Sequence, residues 1–287
     1  MYQEASNTNL LMLLYTAVYP FLAALIVSFV AGKLLRASSY LGYLSGFILG
    51  LSLIHSGLSF PPHQAIDYYI ITTLISIVSL LCFTQIKALT IRNGISFLLF
   101  GLSFYLLLNP VLKHSGLVVS LSWAVVCALV ALCYLLVAEK AQGNKPYNTH
   151  NNSANLANCL FPIGLMIVAG SAAPVVSIGG SLLIGQLLGA LGAAIFGYVV
   201  IIYVTKTASS WASIPALLML GGLIAQSHVL ADIPLSVILM LAISGFITPI
   251  ALFFNNKTHN IIISQIIISS FISGLSLWLV WPESSLY

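Results

Sequence analysis

The chain has 287 residues, of which 60% are hydrophobic and 5% charged, with a formal net charge of +4 and a mean hydropathy of +1.09. A soluble domain carries roughly a quarter charged residues, so so few charges exclude a water-soluble fold. Apolar runs recur at about the 18 residues a helix needs to cross the hydrocarbon of a bilayer, without the alternating pattern of a membrane β-barrel.

Reading these runs against their breaks predicts ten membrane-spanning helices in an all-α bundle, over residues 10–32, 39–59, 67–86, 94–109, 116–138, 156–174, 180–204, 212–230, 233–254 and 260–280. The first has no basic residue ahead of it and no small-residue cleavage site, and reads as an uncleaved helix. It contains Tyr19-Pro20. The second opens on a glycine-rich run with Gly42 and Gly46 and holds His55 near its end. Pro61-Pro62-His63 breaks the chain before the third, and Asn109-Pro110 ends the fourth. A polar stretch follows the fifth, so 1–138 and 156–287 read as two five-helix units joined by a cytoplasmic linker, 139–155. The sixth span carries Phe161-Pro162, the seventh Gly185, Gln186 and Gly189, and the eighth Gln226 and His228. Pro249 lies in the ninth and Gln265 in the tenth.

Lysine and arginine orient such a chain, because short loops rich in them stay in the cytoplasm. Ten spans place eight of the nine basic residues on one side, including Lys33, Arg36, Arg92, Lys145, Lys206 and Lys257. Lys113 is on the other side with Glu4, Asp67, Asp232 and Glu283. Both termini are therefore expected outside, in a bacterial inner or plasma membrane. The net charge follows from this asymmetry and from contact with anionic lipid, and gives no reason to expect nucleic acid. Asn151-Asn152-Ser153 and Asn256-Lys257-Thr258 match the glycosylation pattern but fall in loops expected to be cytoplasmic.

A shift of about 143 residues lays the first five spans on the last five, and because five is odd the halves would be inverted, an arrangement common in transporters. Tyr19-Pro20 then falls on Phe161-Pro162, and Gly42-x-x-x-Gly46 on Gly185-x-x-x-Gly189. Glycines so spaced allow close helix approach. Pro20, Pro162 and Pro249 are expected to kink their helices and free backbone carbonyls.

The run Tyr40-Leu41-Gly42-Tyr43-Leu44-Ser45-Gly46-Phe47-Ile48-Leu49-Gly50 resembles the glycine-rich early span of the monovalent cation:proton antiporters. The resemblance implies helix packing; the embedded aspartate of those antiporters has no counterpart deep in any span here. The whole-chain organisation is similar to that of uncharacterised ten-span bacterial membrane proteins.

Polar side chains within a bilayer are costly and mark candidate sites. His55, Gln186, Gln226 and His228 all fall in the predicted outer half, where imidazole and amide groups could line a cavity for a small solute; Gln265 and Asn158 lie toward the inner side. An imidazole, titrating at about pH 6.5, would give such a cavity a pH-dependent charge. Cys82, Cys127, Cys133 and Cys159 lack metal-ligand or CxxC spacing and read as packing residues. No metal or cofactor is expected, and the absence of a G-x-S-x-G, H-E-x-x-H or phosphate-loop motif argues against an enzyme. The expected function is permease-like transport of a small or amphipathic solute, with a membrane scaffold or subunit of a larger complex as the alternative.

Overall fold

The structure, a computed structural model, describes residues 9–35, 38–55, 58–143, 151–205, 211–254 and 257–281, with side chains from 159 onward in the helix that starts at Asn151. Among them the chain is helical, with no strand. The helices are α1 (Asn9–Leu34), α2 (Leu41–Ile54), α3 (Tyr68–Gln85), α4 (Leu89–Leu112), α5 (Leu117–Gly143), α6 (Asn151–Gly179), α7 (Leu182–Thr205), α8 (Ser213–Ala231), α9 (Leu235–Gly245), α10 (Ile247–Phe254) and α11 (Thr258–Val280). Eight are long and apolar enough to cross a membrane, nine if α9 and α10, bent by 40°, form one broken span. The chain is thus a multi-pass helical membrane protein. The second predicted span is the short one: α2 has 14 residues, a rise of about 21 Å against roughly 30 Å of hydrocarbon.

Two prolines account for the irregular helices. Pro20 has no N–H for the carbonyl of Thr16 and its ring crowds the preceding turn. The helix widens there into a π turn, Leu14–Val18, closed by the Tyr19 N–H on the Leu14 carbonyl, which makes room for the ring. Pro249 likewise leaves the Gly245 carbonyl without its helical donor, and the chain bends between α9 and α10. Gln265 of α11 closes this break: its Nε2 donates to the Ser244 carbonyl at 3.0 Å and to Ser269 Oγ at 2.7 Å, and its Oε1 accepts from Thr248 Oγ1 at 2.8 Å. Pro162, expected as a third kink, lies inside the unbroken α6.

Helices α1, α2 and α7 pack through small residues. A Cβ at Gly46 would meet the Pro20 carbonyl and lie 3.0 Å from Ala194 Cβ, and one at Gly197 would lie 2.7 Å from the Phe21 carbonyl. The α1–α2 and α6–α7 hairpins repeat one contact: a Cβ at Gly42 would meet Ser28 and lie 2.6 Å from the Ala24 carbonyl, while one at Gly185 would meet Ser177 and lie 2.8 Å from the Ala173 carbonyl. This register corrects two expectations. It places Ala169, not Pro162, at the position of Pro20, seven residues or about 10 Å along the helix. Gly189 has nothing within 4 Å of its Cβ position, because it lies on the less buried side of α7, and so it is not a packing glycine.

The linker expected over 139–155 is shorter than that, because α5 continues to Gly143 and α6 begins at Asn151; Glu139, Lys140, Ala141 and Gln142 are good helix formers that carry the span beyond its apolar part. The expectations on Glu4, Arg36, Lys145, Lys206, Asn256 and Glu283, and on the side chains of residues 151–158, lie outside what is described.

Candidate functional site

Asp67 stands one residue ahead of α3, at the predicted outer end, and is 2% exposed. Its Oδ2 accepts from Ser59 Oγ at 2.9 Å and from the backbone N–H groups of His63 and Gln64, each at 3.1 Å. Burial pushes the carboxyl up, and these hydrogen bonds outweigh it, holding Asp67 below the ordinary carboxylate value. Among the described residues its Oδ1 has no hydrogen bond and lies 3.9 Å from His55 Nε2, which has none either. That separation is too long for a hydrogen bond. His55 caps the C-terminus of α2, its backbone N–H donating to the Leu51 carbonyl at 2.9 Å.

Two residues further on, Tyr69 donates its O–H to Gln226 Oε1 at 2.9 Å. The Gln226 Nε2 donates to the Leu107 carbonyl at 3.1 Å and toward that of Ala65 at 3.5 Å. Gln226, fully buried, therefore ties α8 to α3, α4 and the loop before α3. The glycine pair Gly221-Gly222 lets these helices close in, since a Cβ at Gly222 would lie 2.6 Å from Leu107 Cδ1 and one at Gly221 3.1 Å from the Phe104 ring.

The four expected solute ligands do not share one cavity. His55 and Gln226 flank the same loop, 58–67. His228 instead holds the α8–α9 turn, its Nδ1 2.7 Å from the Ile233 carbonyl and its ring 5.2 Å from that of Trp123. Gln186 lies on the least buried stripe of α7, with Leu182, Gly189 and Phe196, and makes no hydrogen bond among the described residues. The common polar pocket expected from the four is corrected accordingly: the seventh helix turns Gln186 away from the face that meets α8.

What the structure offers instead is an apolar cavity of about 130 Å³ between α4, α5, α6, α8 and α9. It exists because α5 packs on α10 rather than α9, so the bend at Phe246 leaves a gap. Phe104, Leu165, Leu220 and Ile224 line it, with Tyr134 and Phe246 toward the predicted inner side and Trp123 and Leu235 toward the predicted outer side. Val126 and Leu239, each 53% exposed, stand at its opening toward the lipid-facing surface. Nearly all its wall is carbon. Cavities of roughly this size lined by apolar side chains stay dry and admit small hydrocarbons.

At the predicted inner end, Arg92 Nη2 holds both carboxylate oxygens of Glu139 at 2.7 and 2.6 Å, and its guanidinium lies 4.3 Å from the centre of the Phe83 ring. No group of three His, Cys, Asp or Glu side chains suited to a metal occurs among the described residues. Compared with known proteins, no family model matches the chain and no curated protein is similar to it.

Sequence reasoning missed Tyr69 and the role of Asp67 as the hub of a loop. A tyrosine in the first turn of an apolar span was the available signal. The cavity had none, because its lining residues are of the same types as those that face lipid.

Proposed function

We propose that the protein is a permease-like carrier of an amphipathic solute, whose apolar part occupies the cavity between α5, α8 and α9. The observation that carries this reading is the cavity itself: apolar, about 130 Å³ in volume, and open toward the bilayer side of the molecule. A polar solute would find no partners in it. A molecule already dissolved in the membrane would enter between Val126 and Leu239 without crossing water. A scaffold has no use for such a gap, which forfeits packing contacts.

The reading includes ten spans, counting α2 and the broken α9–α10 pair, with both termini outside an inner or plasma membrane and the basic loops in the cytoplasm. It also includes an inverted five-plus-five repeat, supported by the shared contact of Gly42 with Ser28 and Gly185 with Ser177. The bend at Phe246 forms one wall of the cavity, and its straightening is the motion that would close it.

The binding half of this reading is tested on the purified protein with alkyltrimethylammonium ions of increasing chain length. The unfolding temperature should rise with length until the cavity is filled and then level off. Ala242 of α9 lines the cavity, and filling it with Ala242→Phe should abolish the rise. Equal responses of wild type and variant would refute the assignment.

A further inference from the structure

Nine buried side-chain polar atoms have no hydrogen-bond partner among the described residues, and seven of them belong to His55, Asp67 and helices α3 and α4. Native proteins leave few such atoms, and a cluster of them asks for a ligand or water. In these two helices polar side chains fall on one face each, with Thr72 the unpartnered one on α3 and Asn93, Ser96 and Ser103 unpartnered on α4 besides Arg92 Nε. On α3, Tyr69, Thr72, Ser76 and Ser79 follow one another at steps of three and four residues, which is a single stripe. On α4, Asn93, Ser96 and Ser103 follow at steps of three and seven residues, which also keeps to one face.

The two faces meet at one end, where the Arg92 guanidinium beside Asn93 lies over the ring of Phe83, one turn beyond Ser79. Gln226 bonds both Tyr69 and the Leu107 carbonyl, which puts those residues at one level in two antiparallel helices. Counting from there, Thr72 is level with Ser103 and Ser79 with Ser96, each to within about one residue. Thr72, Ser96 and Ser103 are fully buried, and their hydroxyls bond neither a neighbour nor their own helix. Ser76 and Ser79 donate to the Thr73 and Ile75 carbonyls at 2.7 and 2.8 Å, and keep their lone pairs free to accept.

Successive positions on the α3 stripe rise about 4.5–6 Å, the span of one water bonded to a hydroxyl on either side. Groups that titrate terminate the file. At the outer end is Asp67 Oδ1, 3.9 Å from His55 Nε2, and at the inner end Asn93 Oδ1 accepts from, and Arg92 Nε donates to, a last water that passes its proton directly to Glu139. None of these hydroxyls lines the apolar cavity.

We propose that a file of bound water molecules runs between α3 and α4 and relays protons between Asp67 and Glu139. Each water or hydroxyl takes a proton on a lone pair and releases its own to the next, so an excess proton moves from one carboxyl to the other with no net change in the groups between. The hydroxyls supply both roles along the whole file, whereas the apolar cavity supplies neither. This inference is independent of the solute the cavity takes.

X-ray radiolysis of the intact reconstituted protein in ¹⁸O-water tests for the water directly, because hydroxyl radicals from bound water oxidise the side chains beside it. Phe100, which is fully buried between Ser96 and Ser103, should be oxidised at least tenfold faster than Phe161, which is equally buried in α6. In liposomes containing a pH dye, with a potassium gradient and valinomycin, the protein should raise proton entry above that of protein-free vesicles. The Thr72→Val/Ser103→Ala pair should cut this at least tenfold. Oxidation of Phe100 no faster than that of Phe161, wild-type flux equal to that of empty vesicles, or full flux in the folded double variant would each overturn the proposal.

Discussion

Tyr69 and Gln226, 157 positions apart, meet at 2.9 Å with the phenol donating to the amide oxygen. The other end of the same amide reaches the Leu107 carbonyl, so one side chain joins α3, α4 and α8. Replacing Gln226 with Leu keeps the volume and leaves the phenol unpaired in a buried site, at a cost of about 1–3 kcal/mol. Unfolding of the purified variant should show that loss. In a double-mutant cycle with Tyr69→Phe the two changes should be less than additive, by roughly 0.5–3 kcal/mol; strict additivity would separate the pair.

The glycine positions make a graded prediction. Gly42→Leu and Gly185→Leu drive side chains into the Ala24 and Ala173 carbonyls, and backbone cannot step aside, so the folded yield should fall; overpacking of this kind costs about 1–3 kcal/mol. Gly189→Leu should be tolerated, since nothing lies within 4 Å of its Cβ position. Size-exclusion profiles of the three variants provide the comparison.

Asp67 gives the loop before α3 a pH dependence of known sign. Its folded value lies below the ordinary carboxylate value, so its contribution is present above the unfolded value of about 4 and is lost as the pH falls through the lower folded value. Hydrogen exchange of the His63 and Gln64 amides should accelerate over that acidic range. Asp67→Asn should exchange them fast at every pH, with the acid step gone.

Much of the helical layout was legible because hydropathy and chain breaks mark where helices run, and Pro20 and Pro249 marked two of the irregular turns. The side of each helix was not. In α7 the buried and outward faces are both apolar, so nothing distinguished Gly185, pressed on Ser177, from Gly189, one turn away in the open. Gln186 shares that ambiguity. His55 and Gln226 were found because a polar atom in an apolar run stands out by itself. Their partners were not, since Asp67 and Tyr69 sit at a helix start where polar groups are unremarked, and a gap between helices such as the one beside Leu239 leaves no trace in composition.

Whether an amphipathic molecule crosses the bilayer through the cavity is decided by one measurement. Liposomes containing the purified protein are given radiolabelled dodecyltrimethylammonium outside, and its appearance in the interior is followed against protein-free liposomes and against Ala242→Phe of equal folded yield. The carrier account predicts entry well above that of empty liposomes for the wild type and a fall of at least tenfold for Ala242→Phe. Entry at the empty-liposome rate for the wild type, or undiminished entry with the cavity filled, would contradict it.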